Sequence, residues 1–108
     1  MIYTIEEISR RIIPVAEKYQ LPSVYLFGSY ARGTATEKSD VDLIVDTSGT
    51  SVKGLFALGA LYHDLEAALE KEIDVITVQS LQQEAQMPSD ERFRDHVWKE
   101  KVNLYAVA

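Results

Sequence analysis

The chain has 108 residues, 46% hydrophobic and 26% charged, which suits one packed domain over 1–108 and leads to the expectation of a packed core and not of disorder. Seventeen acidic against eleven basic residues give a formal charge of −6, which argues against direct nucleic-acid binding, because that needs clustered positive charge. With no cysteine, disulfides and thiolate zinc sites are also excluded.

The N-terminus reads MIYTIEEISRR and lacks the basic-then-apolar order of a signal peptide. No apolar run is long enough to cross a membrane, and a cytoplasmic location is the expectation. Thr4 to Glu7 (TIEE) is a capping-box pattern that opens a helix. Ile5, Ile8, Ile12, Val15 and Tyr19 continue it at helical spacing, and Pro14 predicts a kink or a break. Ser23 to Phe27 (SVYLF) fits a strand covered on both faces. Gly28-Ser29 closes it, Tyr30 to Arg32 begins a short helix, and Gly33 to Ser39 is polar loop. Val41 to Val45 (VDLIV) is a second strand, and Asp46 to Ser51 (DTSGTS) is a loop by its turn residues.

Val52 to Glu72 carries the best helical stripe: Leu55, Leu58, Leu61 or Tyr62, Leu65 and Leu69. Gly54 and Gly59 weaken that helix, and close packing is the reading offered for them. Ile73 to Val78 (IDVITV) is a β-branched third strand. A helical turn over Ser80 to Gln86 follows, then a helix start at Pro88-Ser89-Asp90 with Phe93 and Val97 behind it. Val102 to Val107 reads as a last short strand. Phe93 and Trp98 are expected in the core, and His63 and His96 in surface or packing roles. This order implies an α/β (α+β) domain: a small mixed β-sheet flanked by helices.

Asp40 and Asp42 stand at the head of the second strand, where alternation points both to one face. Two close carboxylates repel, and a cation between them relieves the repulsion. Magnesium favours such carboxylates together with substrate phosphates. Alone, the pair reads as a polar strand start facing water. Asp74, at the head of the third strand, changes that reading, because three acids on one face would suit two metal ions about 3.5–4 Å apart. Gly28 lets backbone N–H groups approach a phosphate, and Ser29 adds a hydroxyl. Arg32 and Lys38 are cations in the same segment, either facing a triphosphate or simply solvated.

Together, Gly28-Ser29, the ten residues Tyr30 to Ser39, Asp40-Val41-Asp42 and the later Asp74 resemble the nucleotidyltransferase superfamily related to DNA polymerase beta. The wording FGSYARGTATEKSDVDLIVD is similar to its minimal nucleotidyltransferase (MNT) branch, and the likeness covers most of the chain. The resemblance implies the nucleotidyltransferase fold and a magnesium-dependent enzyme that takes two Mg2+ ions (or Mn2+) and ATP. It implies that Asp40, Asp42 and Asp74 are catalytic and bind the metals, Asp74 also helping to deprotonate the acceptor hydroxyl. Gly28 and Ser29 would hold the β- and γ-phosphates, with Arg32, Lys38 and Ser39 as further nucleotide-binding candidates. Members of this branch are often antitoxins that transfer AMP to a tyrosine of a HEPN-domain toxin, and that partner and activity are the expectation here. Two alternatives stand beside it: an antitoxin that neutralises by binding alone, and the catalytic subunit of a small-molecule nucleotidyltransferase.

Overall fold

The computed structural model describes residues 2–82 and 95–107. Helix α1 (Ile5–Lys18) opens on the expected capping box: the Glu7 N–H donates to Thr4 Oγ1 at 3.1 Å, and the Thr4 N–H donates to Glu7 Oε1 at 3.2 Å. It runs unbroken through Pro14, which is exposed, so the expected division into two pieces does not occur. Strand β1 (Ser23–Phe27) leads directly into a short helix α2 (Gly28–Arg32). Strand β2 (Val41–Asp46) follows the polar loop, and α3 (Gly54–Leu69) crosses over to β3 (Ile73–Thr77). A short helix α4 (Val78–Gln82) comes next, so Val78 belongs to α4 and not to the strand. Residues 95–100 are helical, and β4 (Val102–Ala106) ends the sheet. The predicted turn over Ser80 to Gln86 is described as far as residue 82; the predicted helix start at Pro88 and the core reading of Phe93 lie outside the described residues.

The sheet order is β3-β2-β1-β4, with β2 and β3 parallel and the other pairs antiparallel. Alternation then divides the side chains between two faces. Val24, Leu26, Val41, Leu43, Val45 and Leu104 belong to one core with Ile8, Ile12 and Ala16 of α1 and Leu61, Leu65 and Leu69 of α3. Ile44, Val78 and Val97 form a smaller core, joined by Tyr25, Phe27 and Ile76. Among the described residues, most of the apolar burial therefore lies under α1 and α3, and the other face carries the smaller cluster.

Helix α3 is shorter than its periodicity predicts. It starts at Gly54, whose φ of +79° is the left-handed value that glycine accepts without strain, and it stops where Glu70 takes φ +52°. A side chain at Gly54 or Gly59 would meet nothing within 4 Å, so close packing is not the reason for either glycine. Leu55, placed in the apolar stripe by sequence, is 87% exposed, and Phe56 beside it is 97% exposed. Trp98 is 40% exposed and meets the Tyr25 ring edge-on at 5.8 Å instead of lying in the core.

Candidate active site

The acidic residues meet because of strand register. Asp42 lies opposite Phe27 of β1 on one side and opposite Asp74 of β3 on the other. Neighbouring strands lie about 4.8 Å apart, so the Phe27, Asp42 and Asp74 positions form one row across the sheet. Asp40, two residues before Asp42, shares its face by alternation. That face is the one opposite α1 and α3, since Val41 and Leu43 on either side of Asp42 are in the larger core. Asp42 is half-buried, whereas Asp40 and Asp74 are exposed.

Crowding shows in the chemistry of Asp42. Its carboxyl is pushed up to about 6, first by burial, then by the charges of Asp74 and Asp40, with Arg32 pulling weakly the other way. Arg32 is thus a cation whose charge acts on this carboxylate. Lys38 lies in an exposed turn, where its N–H donates to Thr36 Oγ1 at 3.3 Å.

Gly28 follows Phe27, the end of the same row. Its φ is +76°, and a Cβ built there would run into the Asp42 carboxylate, with the Asp42 Cγ only 3.1 Å away. Only glycine combines that backbone turn with that approach. Ser29 is half-buried in the first turn of α2, and α2 ends where Gly33 turns left-handed at φ +79°. The structure therefore brings Gly28, Asp42, Asp74 and Arg32 to one end of the sheet, with Asp40 immediately before it.

Ser39 is tied into the loop turn. Its hydroxyl accepts the Thr36 N–H at 2.9 Å, and its own N–H donates to the Thr36 carbonyl at 3.0 Å. These bonds close the loop turn. The loop is fastened at its far side by Lys71, whose Nζ donates to the Glu37 carbonyl at 2.9 Å. The Val41 N–H donates to the Glu72 carbonyl at 3.1 Å, so the loop enters β2 alongside the start of β3. Tyr62 of α3 donates its hydroxyl to the Ile73 carbonyl at 2.7 Å, next to Asp74. Burial pushes this phenol up, with Glu66, Asp74, Asp40 and Glu72 adding to the shift. Lys71 and Tyr62 were not legible as site neighbours in the sequence, because both act on backbone carbonyls that only the fold brings near.

Among the described residues, no three His, Cys, Asp or Glu side chains close into a ready-made metal cage. The donors present are hard carboxylate oxygens from two strands, and magnesium typically takes one or two of these plus substrate phosphates. The set suits an ion completed by its substrate. Among the described residues, no helix is long and apolar enough to cross a membrane.

Over 77 residues the chain is 42% identical to a candidate protein adenylyltransferase of Methanocaldococcus jannaschii, covering 71% of this chain and 81% of that one. It is 37% identical over 65 residues to the protein adenylyltransferase MntA of Thermococcus cleftensis, covering 60% and 64%. A candidate minimal nucleotidyltransferase of known structure superposes with a TM-score of 0.67 at 27% identity, covering 93% and 95%. Two complexes share the fold. One is a toxin–antitoxin bound to AMP-PNP (TM-score 0.68, 24% identity, 92% and 73% covered). The other is the Shewanella oneidensis MNT antitoxin with its tri-AMPylated HEPN toxin (0.64, 19%, 96% and 74%). The family of the nucleotidyltransferase domain matches residues 8–100, spanning every element of the row and its supports, and the chain belongs to that family.

Proposed function

We propose that the protein transfers AMP from ATP to a hydroxyl of a partner protein, a tyrosine of a HEPN-domain toxin, and so acts as an antitoxin. The observation that carries this reading is the row Phe27–Asp42–Asp74, which sets carboxylates of adjacent strands side by side with Gly28 against one of them. The acceptor class is supported by the adenylyltransferase name of the MntA relative and by the AMPylated toxin in the Shewanella complex. ATP as donor is supported by the AMP-PNP in the related complex.

Gly28 and Ser29 receive the β- and γ-phosphates, and Arg32 approaches from the end of α2. Asp40 and Asp42 would hold two magnesium ions and Asp74 one of them. Once bound, magnesium neutralises charge on the attacking and leaving oxygens. In the transfer, the acceptor oxygen bonds to the α-phosphorus and the bond to the β-phosphate oxygen breaks. Pyrophosphate leaves, and the hydroxyl proton passes to Asp74, exposed on the outer strand. Positioning and charge stabilisation supply most of the rate.

Incubating the protein with its toxin, ATP and magnesium should add adenylate to the toxin, read by intact mass. Asp42→Asn should lower the rate on the order of 10²–10³-fold, the scale of losing one group that stabilises transition-state charge. Undiminished transfer by that variant would sink the mechanism. Full neutralisation by an Asp40→Ala, Asp42→Ala variant, with no transfer by the wild type, would move the reading to an antitoxin that works by contact. A labelled small product in place of labelled protein would move it to a small-molecule transferase.

A further inference from the structure

Arg32 is placed by a residue far along the chain. Its Nη1 lies 3.4 Å from Glu100 Oε2, with the two side chains 47% and 31% exposed. The same oxygen lies 3.3 Å from His96 Nε2, one helical turn back. The helical segment that carries Glu100 is seated on the sheet. Val97 is buried beside Ile44, Trp98 meets Tyr25, and the Lys101 ammonium sits 4.5 Å from the Trp98 ring and 5.3 Å from the Tyr25 ring. At the other end of the pair, α2 begins at Gly28, so Arg32 sits one turn beyond the residue packed against Asp42.

We propose that Glu100 is a positioning residue for nucleotide binding, holding the Arg32 guanidinium at the phosphate end of the site before any nucleotide arrives. The role presupposes the nucleotide site proposed above and adds the residue that prepares it. An arginine has five N–H donors in a rigid fork; one turned to Glu100 leaves others for phosphate oxygens. A guanidinium already held loses less rotamer freedom when the triphosphate binds. His96, on the same helix as Glu100, lies beside the same carboxylate oxygen. Glu100 thus acts through Arg32 and touches neither nucleotide nor metal.

This dependence can be measured by titrating the protein with a fluorescent, non-hydrolysable ATP analogue and magnesium. The variants are Arg32→Ala, Glu100→Ala, Glu100→Gln and the double Arg32→Ala/Glu100→Ala, each with its thermal midpoint recorded. Glu100→Ala should raise Kd about 3–5-fold, the scale of a partly exposed ion pair. Glu100→Gln should fall between it and the wild type, and Arg32→Ala should cost more than either. The double variant should bind no more weakly than Arg32→Ala alone, because the two act as one unit. An unchanged Kd for Glu100→Ala, or a further loss in the double variant, overturns the role. The second result would mean that Glu100 merely braces the fold. A wild type that does not bind the analogue removes the transferase reading and this role together; binding without the Glu100 effect removes only the role.

Discussion

At Asp42, burial and the charges of Asp74 and Asp40 combine to hold the proton up to about pH 6, against an ordinary value of 3.8. The consequence for stability has a definite sign. Below pH 4 the folded and unfolded chains both carry the proton, and the crowding has no effect. As pH rises from about 4 to about 6 the unfolded chain releases its proton first, so the folded state loses stability across that window. A shift of about two units corresponds to about 3 kcal/mol, and solvent screening at a half-exposed carboxyl reduces this to about 1–2 kcal/mol. Asp42→Asn should therefore be more stable than the wild type by about 1–2 kcal/mol at pH 7.5 without divalent cations, the difference fading as pH falls from about 6 to about 4. Urea denaturation across that range is the measurement, and equal stabilities at pH 7.5 would show that the carboxylates do not crowd. Magnesium should raise the thermal midpoint of the wild type and leave that of Asp42→Asn almost unmoved, because binding to the folded state alone stabilises it. Transfer activity should decline below about pH 6 and recover in part at higher magnesium, as metal and proton compete for the same oxygens.

Individual elements divide into those the sequence announces and those that need the fold. The capping box of α1, the strands and the crossover helix were legible because periodicity and turn residues are local signals. The start of α3 was not. Leu55 keeps the helical period yet is 87% exposed, because buried positions of this helix begin at Leu61. Periodicity tells which residues share a face; it does not tell how far the sheet beneath that face extends. The end of α3 was missed for a similar reason: Glu70 accepts a left-handed φ of +52°, a position where sequence reading looks for glycine. Glu70→Gly should stabilise the protein by about 0.5–1 kcal/mol, since it removes the steric cost of that turn. Its pair with Arg11, at 3.4 Å and with Glu70 75% exposed, contributes little that would be lost. A shift of the urea midpoint to lower concentration would contradict this account.

Across the whole molecule, the two faces of the sheet have separate tasks. Helices α1 and α3 enclose the larger core on one side, and the aspartates stand on the other. Leu65→Ala, at a fully buried position of α3, should cost about 2–5 kcal/mol. Below its lowered melting temperature it should bind the ATP analogue with unchanged Kd, and a weakened affinity there would show that the faces are coupled. The candidate site was readable in advance to the extent that it rests on strand heads, where Asp40, Asp42 and Asp74 follow from alternation and spacing. The Arg32–Glu100 pair was not readable, since its members are 68 residues apart and belong to no shared pattern.

The pairing of β2 with β3 has one more consequence, for misfolded chains. Side chains change face with every residue, so a slip of β3 by one position would turn Asp74 into the oily layer under α3 and bring Val75 out beside Asp42. Such a chain would lose its third acid and bury a carboxylate without a partner at the same stroke. A mispaired molecule would therefore lose the row of aspartates and be less stable, so the acid to which the proposed reaction gives its proton also discriminates against the wrong fold.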